Sequence, residues 1–222
     1  MISIKKLKST LNSAFKEYCD THTCNSCPYS NNDKCMLFNF CIDYLKENKL
    51  LSESKINTDK IDFNNIKDGE HFMYKGIEFI RLGKEQGGIL CITAKIWKTL
   101  PFDKDGCNNF KKAFICKALN NEFRPLLDDN DLLTYQMDLT ADNGDKSYGT
   151  FFVHAGLLSA DLYRKYRDYI PHYDDWVWLS TPWYCSSCTY NVRTVHTDGV
   201  LYYYSANHAG GVVPACIFIE NQ

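Results

Sequence analysis

YNVRTVHTDGVLYYY, residues 190–204, is two runs rich in β-branched and aromatic residues folded about one turn. Such side chains fit a pleated, half-buried surface, and Thr197-Asp198-Gly199 supplies residue types that accept the backbone of a tight connection, so a β-hairpin is expected with strands Tyr190–His196 and Val200–Tyr204. Successive strand residues point to opposite faces, which sets Tyr203 against Tyr202 and Tyr204. Downstream, Val212–Ile219 reads as a closing strand interrupted by Pro214. Upstream, the apolar runs Gly76–Leu82 and Ile89–Ile96 read as strands joined around Gly87-Gly88. Between these strands lie two helical patterns. Residues 108–120 place Phe110, Ala113/Phe114 and Ala118 on one face, and Ser159 is positioned to cap a helix carrying Leu162, Tyr163, Tyr166 and Tyr169 or Ile170. Strands interleaved with two helices make residues 61–222 an α+β domain.

Residues 1–60 have a different texture. Ile4, Leu7, Leu11, Ala14/Phe15 and Tyr18 recur at helical spacing, then comes a cysteine-bearing loop, then a second helical pattern at Leu37, Phe40/Cys41 and Tyr44/Leu45. The polar stretch KENKLLSESKINTDK, residues 46–60, reads as a connector, so a small helical module of 1–60 is expected to precede the α+β domain.

The charge balance narrows the function classes. The 222 residues carry 25 Lys+Arg against 27 Asp+Glu, a formal net charge of −2, with no run of five like charges. That argues against a nucleic-acid groove or a polybasic membrane patch. The lysines near the start are spread along an amphipathic stretch rather than set before an apolar run, so no signal peptide is read, and no segment approaches the ~18 apolar residues of a membrane helix. A cytoplasmic protein, or one assembled into a particle there, is expected.

Eleven cysteines are far above ordinary usage, and five of them fall between positions 19 and 41. An odd number in a reducing compartment fits a metal site better than a disulfide framework. In Cys19-x4-Cys24-x2-Cys27-x7-Cys35-x5-Cys41, the C-x2-C knuckle lets two thiolates grip one ion while two more approach from flanking elements. Cys24, Cys27, Cys35 and Cys41 are the expected ligands of a structural zinc, with Cys19 as first substitute. An iron–sulfur cluster takes the same donors and stays open on spacing alone. A module of this size has little apolar surface, and zinc can supply roughly 10–16 kcal/mol of apparent binding free energy to such a peptide.

The C-terminal 160 residues resemble the bacterial and bacteriophage family known as domain of unknown function 6273. The resemblance is carried, in order, by LPFD (100–103), NNFKKAFICKALNNEF (108–123), DLTADNGDKSYGTFF (138–152), LLSADLYRKYRDYI (157–170), WVWLSTPW (176–183), VRTVHTDGVL (192–201) and GGVVPACIFI (210–219). It implies a C-type-lectin-like fold whose irregular C-terminal hairpins display variable side chains, similar to phage receptor-binding variable proteins and more remotely to formylglycine-generating enzyme. Two departures stand out: Val213 replaces the arginine of the family's G-V-R-P, and the paired tryptophans are Trp176 and Trp178, split by Val177. The family supplies no catalytic set.

From Trp176 to Tyr204 there are three Trp and five Tyr. Tyrosine and tryptophan bring large, stiff contact area with a polar handle, which suits recognition. Trp176 and Trp178 are expected in the core. Tyr184, Arg193, His196, Tyr202, Tyr204 and His208 are the candidate ligand-binding residues, on a protein that recognises a host or virion protein or a glycan and is not an enzyme. The C-x2-C pair Cys185/Cys188 allows an alternative, copper-dependent oxidation of the formylglycine-generating type, since soft thiolates select copper(I). A purely structural virion component is a further alternative. Asp142-Asn143-Gly144-Asp145 lacks the closing glutamate of a calcium loop and reads as a turn, and Asp128–Asp131 reads as a solvated loop or helix start.

Overall fold

The computed structural model describes residues 61–186 and 189–220, together with the backbone of two short antiparallel strands, β1 (Ser30–Asn31) and β2 (Lys34–Cys35). The chain divides into two compact units, Met1–Thr58 and Asp59–Gln222. The second unit is mixed α+β, mostly sheet.

Its first sheet begins with three antiparallel strands joined by two-residue turns: β3 (His71–Tyr74), β4 (Ile77–Glu85) and β5 (Gly88–Thr93). At the second turn Gln86 and Gly87 both have positive φ, +47° and +86°, the backbone that matches the twist of the flanking strands and that glycine adopts freely. Next in the chain come β6 (Lys98–Pro101), which belongs to the second sheet, and β7 (Leu132–Leu133), which pairs with the last strand of the first. A separate hairpin is formed by β8 (Tyr135–Asp138) and β9 (Thr150–Val153). The short β10 (Ala155–Gly156) closes the first sheet in the order β10-β15-β5-β4-β3, where β15 is Ala215–Phe218. Every residue of β5 and β15 is buried, as expected for central strands covered on both faces.

The second sheet runs β13 (Leu201–Ser205), β12 (Asn191–Val195), β11 (Val177–Pro182), β14 (Ala209–Val212), β6. The β12–β13 hairpin has the expected turn, with Val195 opposite Leu201. The closing run does not form one strand. It is β14 in the second sheet and β15 in the first, separated at Val213-Pro214. Proline has no N–H for a ladder, and here its carbonyl accepts from the Thr93 N–H at 3.1 Å while the chain changes sheets.

The helices are shorter than their patterns predict. The first, α1 (Phe114–Ala118), continues as a π-helical turn over Leu119–Phe123, but residues 108–113 are not helical. Two side chains account for this. Asp103 draws the N–H groups of Asp105, Cys107 and Phe114 onto its carboxylate, and Asn108 donates to the carbonyls of Tyr184 and Asn191. The buried face is accordingly Ile115, Cys116, Ala118 and Leu119 rather than Phe114, over whose ring Lys104 lies at 4.2 Å. The second helix, α2 (Ala160–Lys165), starts where Ser159 caps it, its hydroxyl accepting from the Leu162 N–H at 3.1 Å, and a 3-10 turn over Arg167–Tyr169 follows. One continuous core unites the sheets, with Phe63, Phe72, Tyr74, Phe79 and Phe218 in edge-to-face contact at one end and Trp178, Phe102 and Phe110 at the other.

Candidate functional site: the aromatic hairpin

The β12–β13 hairpin forms the edge of the second sheet, and its side chains divide between two faces. On one, Tyr204 stacks on Trp176 with ring centroids 4.4 Å apart, Trp176 meets Trp178 edge-on at 4.8 Å, and His208 lies 6.1 Å from Tyr204. Tyr202 lies beyond Tyr204, 55% exposed, with His196 at 6.4 Å. On the other, Tyr203 leans on Trp183 at 4.3 Å, and the Arg193 guanidinium covers the same indole at 4.3 Å. The expected alternation holds for Tyr203 and Tyr204, which rest on Trp183 and Trp176, but the Tyr202 ring at the edge stacks on Tyr203 at 6.1 Å as well as lying 6.5 Å from Tyr204.

The tyrosine rings rest on a braced base. Arg193 donates from Nε and Nη2 to the two oxygens of Asp142, at 2.9 and 2.5 Å, so the guanidinium is held flat over the indole. Asp142 comes from the turn after β8, where the Gly144 N–H returns to the Ala141 carbonyl as the Asp-Asn-Gly-Asp pattern predicts. The hairpin tip is anchored as well. The Gly199 carbonyl accepts from the hydroxyl of buried Tyr163 on α2, at 2.8 Å. Gly199 has φ +82°, the backbone that favours glycine, and a Cβ there would meet the end of the Arg167 side chain, which would have to move aside.

The outer edge is open among the described residues. The Ala206 N–H bonds the Tyr190 carbonyl and the His196 N–H bonds the Val200 carbonyl, so with alternating pairs in the ladder Thr194 and Tyr202 exchange hydrogen bonds. Leu201 and Tyr203 therefore turn their backbone groups outward. Tyr190, Val200, Tyr202 and Tyr203 are the large apolar side chains exposed around this edge.

The other candidates fall as follows. Tyr184 contacts Trp183 at 5.9 Å, and its carbonyl is held by Asn108. Cys185 is buried, its thiol donates to the Asp145 carbonyl at 3.6 Å, and burial pushes its pKa up, so it is a protonated thiol at neutral pH. Cys188 lies outside the described residues. So do Cys19, Cys24, Cys27 and Cys41, while of Cys35 only the backbone in β2 is described; the expected zinc site thus lies outside them. Among the described residues no three His, Cys, Asp or Glu side chains converge to hold a metal. No helix among them is long and apolar enough to cross a membrane. A cleft of about 530 Å³ beside Lys75 and Arg124 is lined by charges that already satisfy one another, Arg124 with Asp129 at 2.6 Å and Lys75 with Asp128 at 3.4 Å.

Sequence reading missed Asp142, Trp183 and Tyr203. Pairing Arg193 with Tyr203 across the predicted hairpin would have found the last, since directly opposed residues share a face. Asp142 comes from 51 residues away along the chain, a contact no local pattern carries. Compared with family models, with curated proteins and with solved structures, the chain matches none.

Proposed function

We propose that this chain is a non-enzymatic recognition protein that binds a protein or a glycan through the aromatic β12–β13 hairpin. The observation that carries the reading is a set of exposed tyrosines on a base that cannot readily move. Tyr202 and Tyr203 project from a strand whose other contacts are Trp176 and Trp183 stacking, the Arg193–Asp142 pair and the Tyr163–Gly199 anchor. Stiff aromatic side chains on an ordered base lose little conformational freedom when they bind, which is what makes such residues dominate interfaces. Tyr184, Arg193, His196, Tyr204 and His208 form the remainder of the proposed surface, with Arg193 positioning the platform from beneath.

The resemblance to domain of unknown function 6273 supports a C-type-lectin-like fold for the second unit, and with it a phage or prophage origin and a host or virion protein as partner. The first unit, in this reading, holds a structural zinc on Cys24, Cys27, Cys35 and Cys41. The copper alternative has less to support it, since buried, protonated Cys185 is a poor start for a thiolate site.

Screening the full chain against a glycan array and a random-peptide display library tests the proposal. Ligands are expected whose binding falls at least tenfold in a Tyr202→Ala/Tyr203→Ala double variant and holds in Met73→Ala, which removes an exposed side chain from the other sheet. Ligands that bind the double variant equally well, or none above background, contradict it.

A further inference from the structure

A sheet edge carries a row of unpaired N–H and C=O groups, and proteins blunt such rows with lysine, proline, a bulge or a covering group. Two edges of this chain are blunted in those ways. β6, at the far side of the second sheet, carries Lys98 and ends at Pro101. On β8 the Gln86 side chain takes the place of a neighbouring strand: its Oε1 accepts from the Gln136 N–H at 2.9 Å, and its Nε2 donates to the Gln136 carbonyl at 2.8 Å. β13 has none of these devices. It pairs with β12 in unbroken register from Asn191 opposite Ser205 to Val195 opposite Leu201, and the stretch 199–207, GVLYYYSAN, contains no charge and no proline. Among the described residues no further strand pairs with it.

The outward N–H and C=O groups of Leu201 and Tyr203 repeat every two residues, about 6.8 Å, and an extended polypeptide presents the same two groups at the same spacing. A second copy of this chain meets that description too, but the edge by itself is too small for one. Pairing along five residues covers about 17 Å of strand and roughly 10 Å across the side-chain layers, on the order of 200 Å² against the roughly 800 Å² per partner of a stable protein pair. A short segment needs no more. Charge adds a direction. The nearest charge before the stretch is the exposed Asp198 at the hairpin tip, whose carboxyl is held below its ordinary range by the Val200 N–H and so is ionised at neutral pH. We propose that the partner of this hairpin is an extended peptide segment that adds to β13 as a sixth, antiparallel strand, uncharged beside the tyrosines and basic at the C-terminal end that reaches Asp198. This rests on the hairpin being the recognition surface, and it narrows the partner to a protein. Main-chain hydrogen bonds to Leu201 and Tyr203 supply affinity, and side chains alternating between the Trp176 and Trp183 faces supply selectivity.

The test titrates the full chain with the end-blocked peptide Thr-Val-Thr-Val-Thr-Lys and follows amide exchange residue by residue in the complex. Binding with Kd on the order of 0.1 mM is expected, with exchange at Leu201 and Tyr203 slowed about tenfold or more at saturation. Methylating the amide nitrogens of the threonines alone, or of the valines alone, removes the donors along one edge of the peptide. One of these two peptides should bind about tenfold more weakly and the other as the parent does. Exchanging the lysine for glutamate should weaken binding about threefold. All these changes are in the peptide, so no loss of binding traces to misfolding of the protein. No binding, equal affinity of the two methylated peptides, or binding that leaves exchange at Leu201 and Tyr203 unchanged overturns strand addition. Slow exchange at both amides before peptide is added, with a dimer in sedimentation, gives the edge to a second copy and overturns it as well. If strand addition fails while ligands lost in Tyr202→Ala/Tyr203→Ala are still found, the hairpin recognises through its rings alone; if no such ligand exists, recognition by the hairpin fails with it.

Discussion

Trp178 shows how much one side chain can settle. It is 1% exposed, packs on Phe102 and Trp176, and donates its indole N–H to the Leu100 carbonyl at 2.9 Å, tying β11 to the chain that carries β6. Trp178→Ala should cost about 3–5 kcal/mol in chemical denaturation, through the cavity and the orphaned carbonyl together. Its burial was legible from the sequence, because a tryptophan inside an apolar run is rarely solvent-facing. Asp142 was not legible, since its pattern announces only a turn. The Arg193–Asp142 pair is partly exposed, at 14% and 24% of the two side chains, so solvent screening limits it. Asp142→Asn is expected to cost about 1 kcal/mol in global stability, while loosening the Tyr203–Trp183 base. Loss of more than about 3 kcal/mol in urea unfolding would show the pair to be a keystone of the fold rather than a brace of the platform.

The hairpin and the two helices tell opposite stories as elements. The hairpin followed from its own residues: β-branched and aromatic runs, and a turn with glycine at the left-handed position. The first helix did not, because tertiary contacts reset its start, whereas the second begins at its expected Ser159 cap and only ends early, at Lys165. Asp103 takes the Phe114 N–H, which a helix over 108–120 would have bonded to the Phe110 carbonyl, and the Asn108 side chain ties that residue to the carbonyls of Tyr184 and Asn191. Likewise Val212–Ile219 looked like one strand because alternation carries no information about which sheet a residue joins, and Pro214 marks the point of transfer. Gly199→Ala tests the anchoring of the hairpin. With φ at +82° and Arg167 against the missing Cβ, the substitution should cost about 1–3 kcal/mol. It should also raise amide exchange at the tip, measured residue by residue, ahead of the rest of β12 and β13. Exchange unchanged at His196, whose amide closes the turn on the Val200 carbonyl, would mean that α2 does not hold the tip. Ser159→Ala, which removes only the cap of α2, is expected to cost about 1 kcal/mol.

The described unit as a whole should be most stable between mildly acidic and mildly alkaline pH, for reasons with opposite signs. Burial opposes ionisation of Glu85, but hydrogen bonds from the Lys165 ammonium and the Tyr166 hydroxyl outweigh it and hold the carboxyl below its ordinary value of 4.5. The stability it contributes is therefore complete above that value and is lost as pH falls through the folded-state value. Burial pushes the Cys91 and Cys216 thiols far above their ordinary 9.0. Their contribution is complete below 9.0 and is lost as pH rises toward the folded-state values. Thermal unfolding across pH should therefore fall off on both sides, and a Cys91→Ala/Cys216→Ala variant should show a shallower alkaline limb. The same limb in both proteins would assign alkaline unfolding to other groups. For the first unit, elemental analysis of protein purified without a metal-affinity tag is expected to give one zinc per chain, absent in Cys24→Ser/Cys27→Ser and retained in Cys185→Ser.

Everything proposed for recognition rests on a platform that is rigid in its base and open along its edge. Residue-resolved amide hydrogen exchange on the full chain reads both properties at once. Slow exchange is predicted at Thr194 and Tyr202, whose amides lie inside the ladder, with fast exchange at Leu201 and Tyr203, whose amides face outward. Uniformly fast exchange through β12 and β13 would remove the rigid base, and slow exchange at Leu201 and Tyr203 would show the edge already covered; either result contradicts the account.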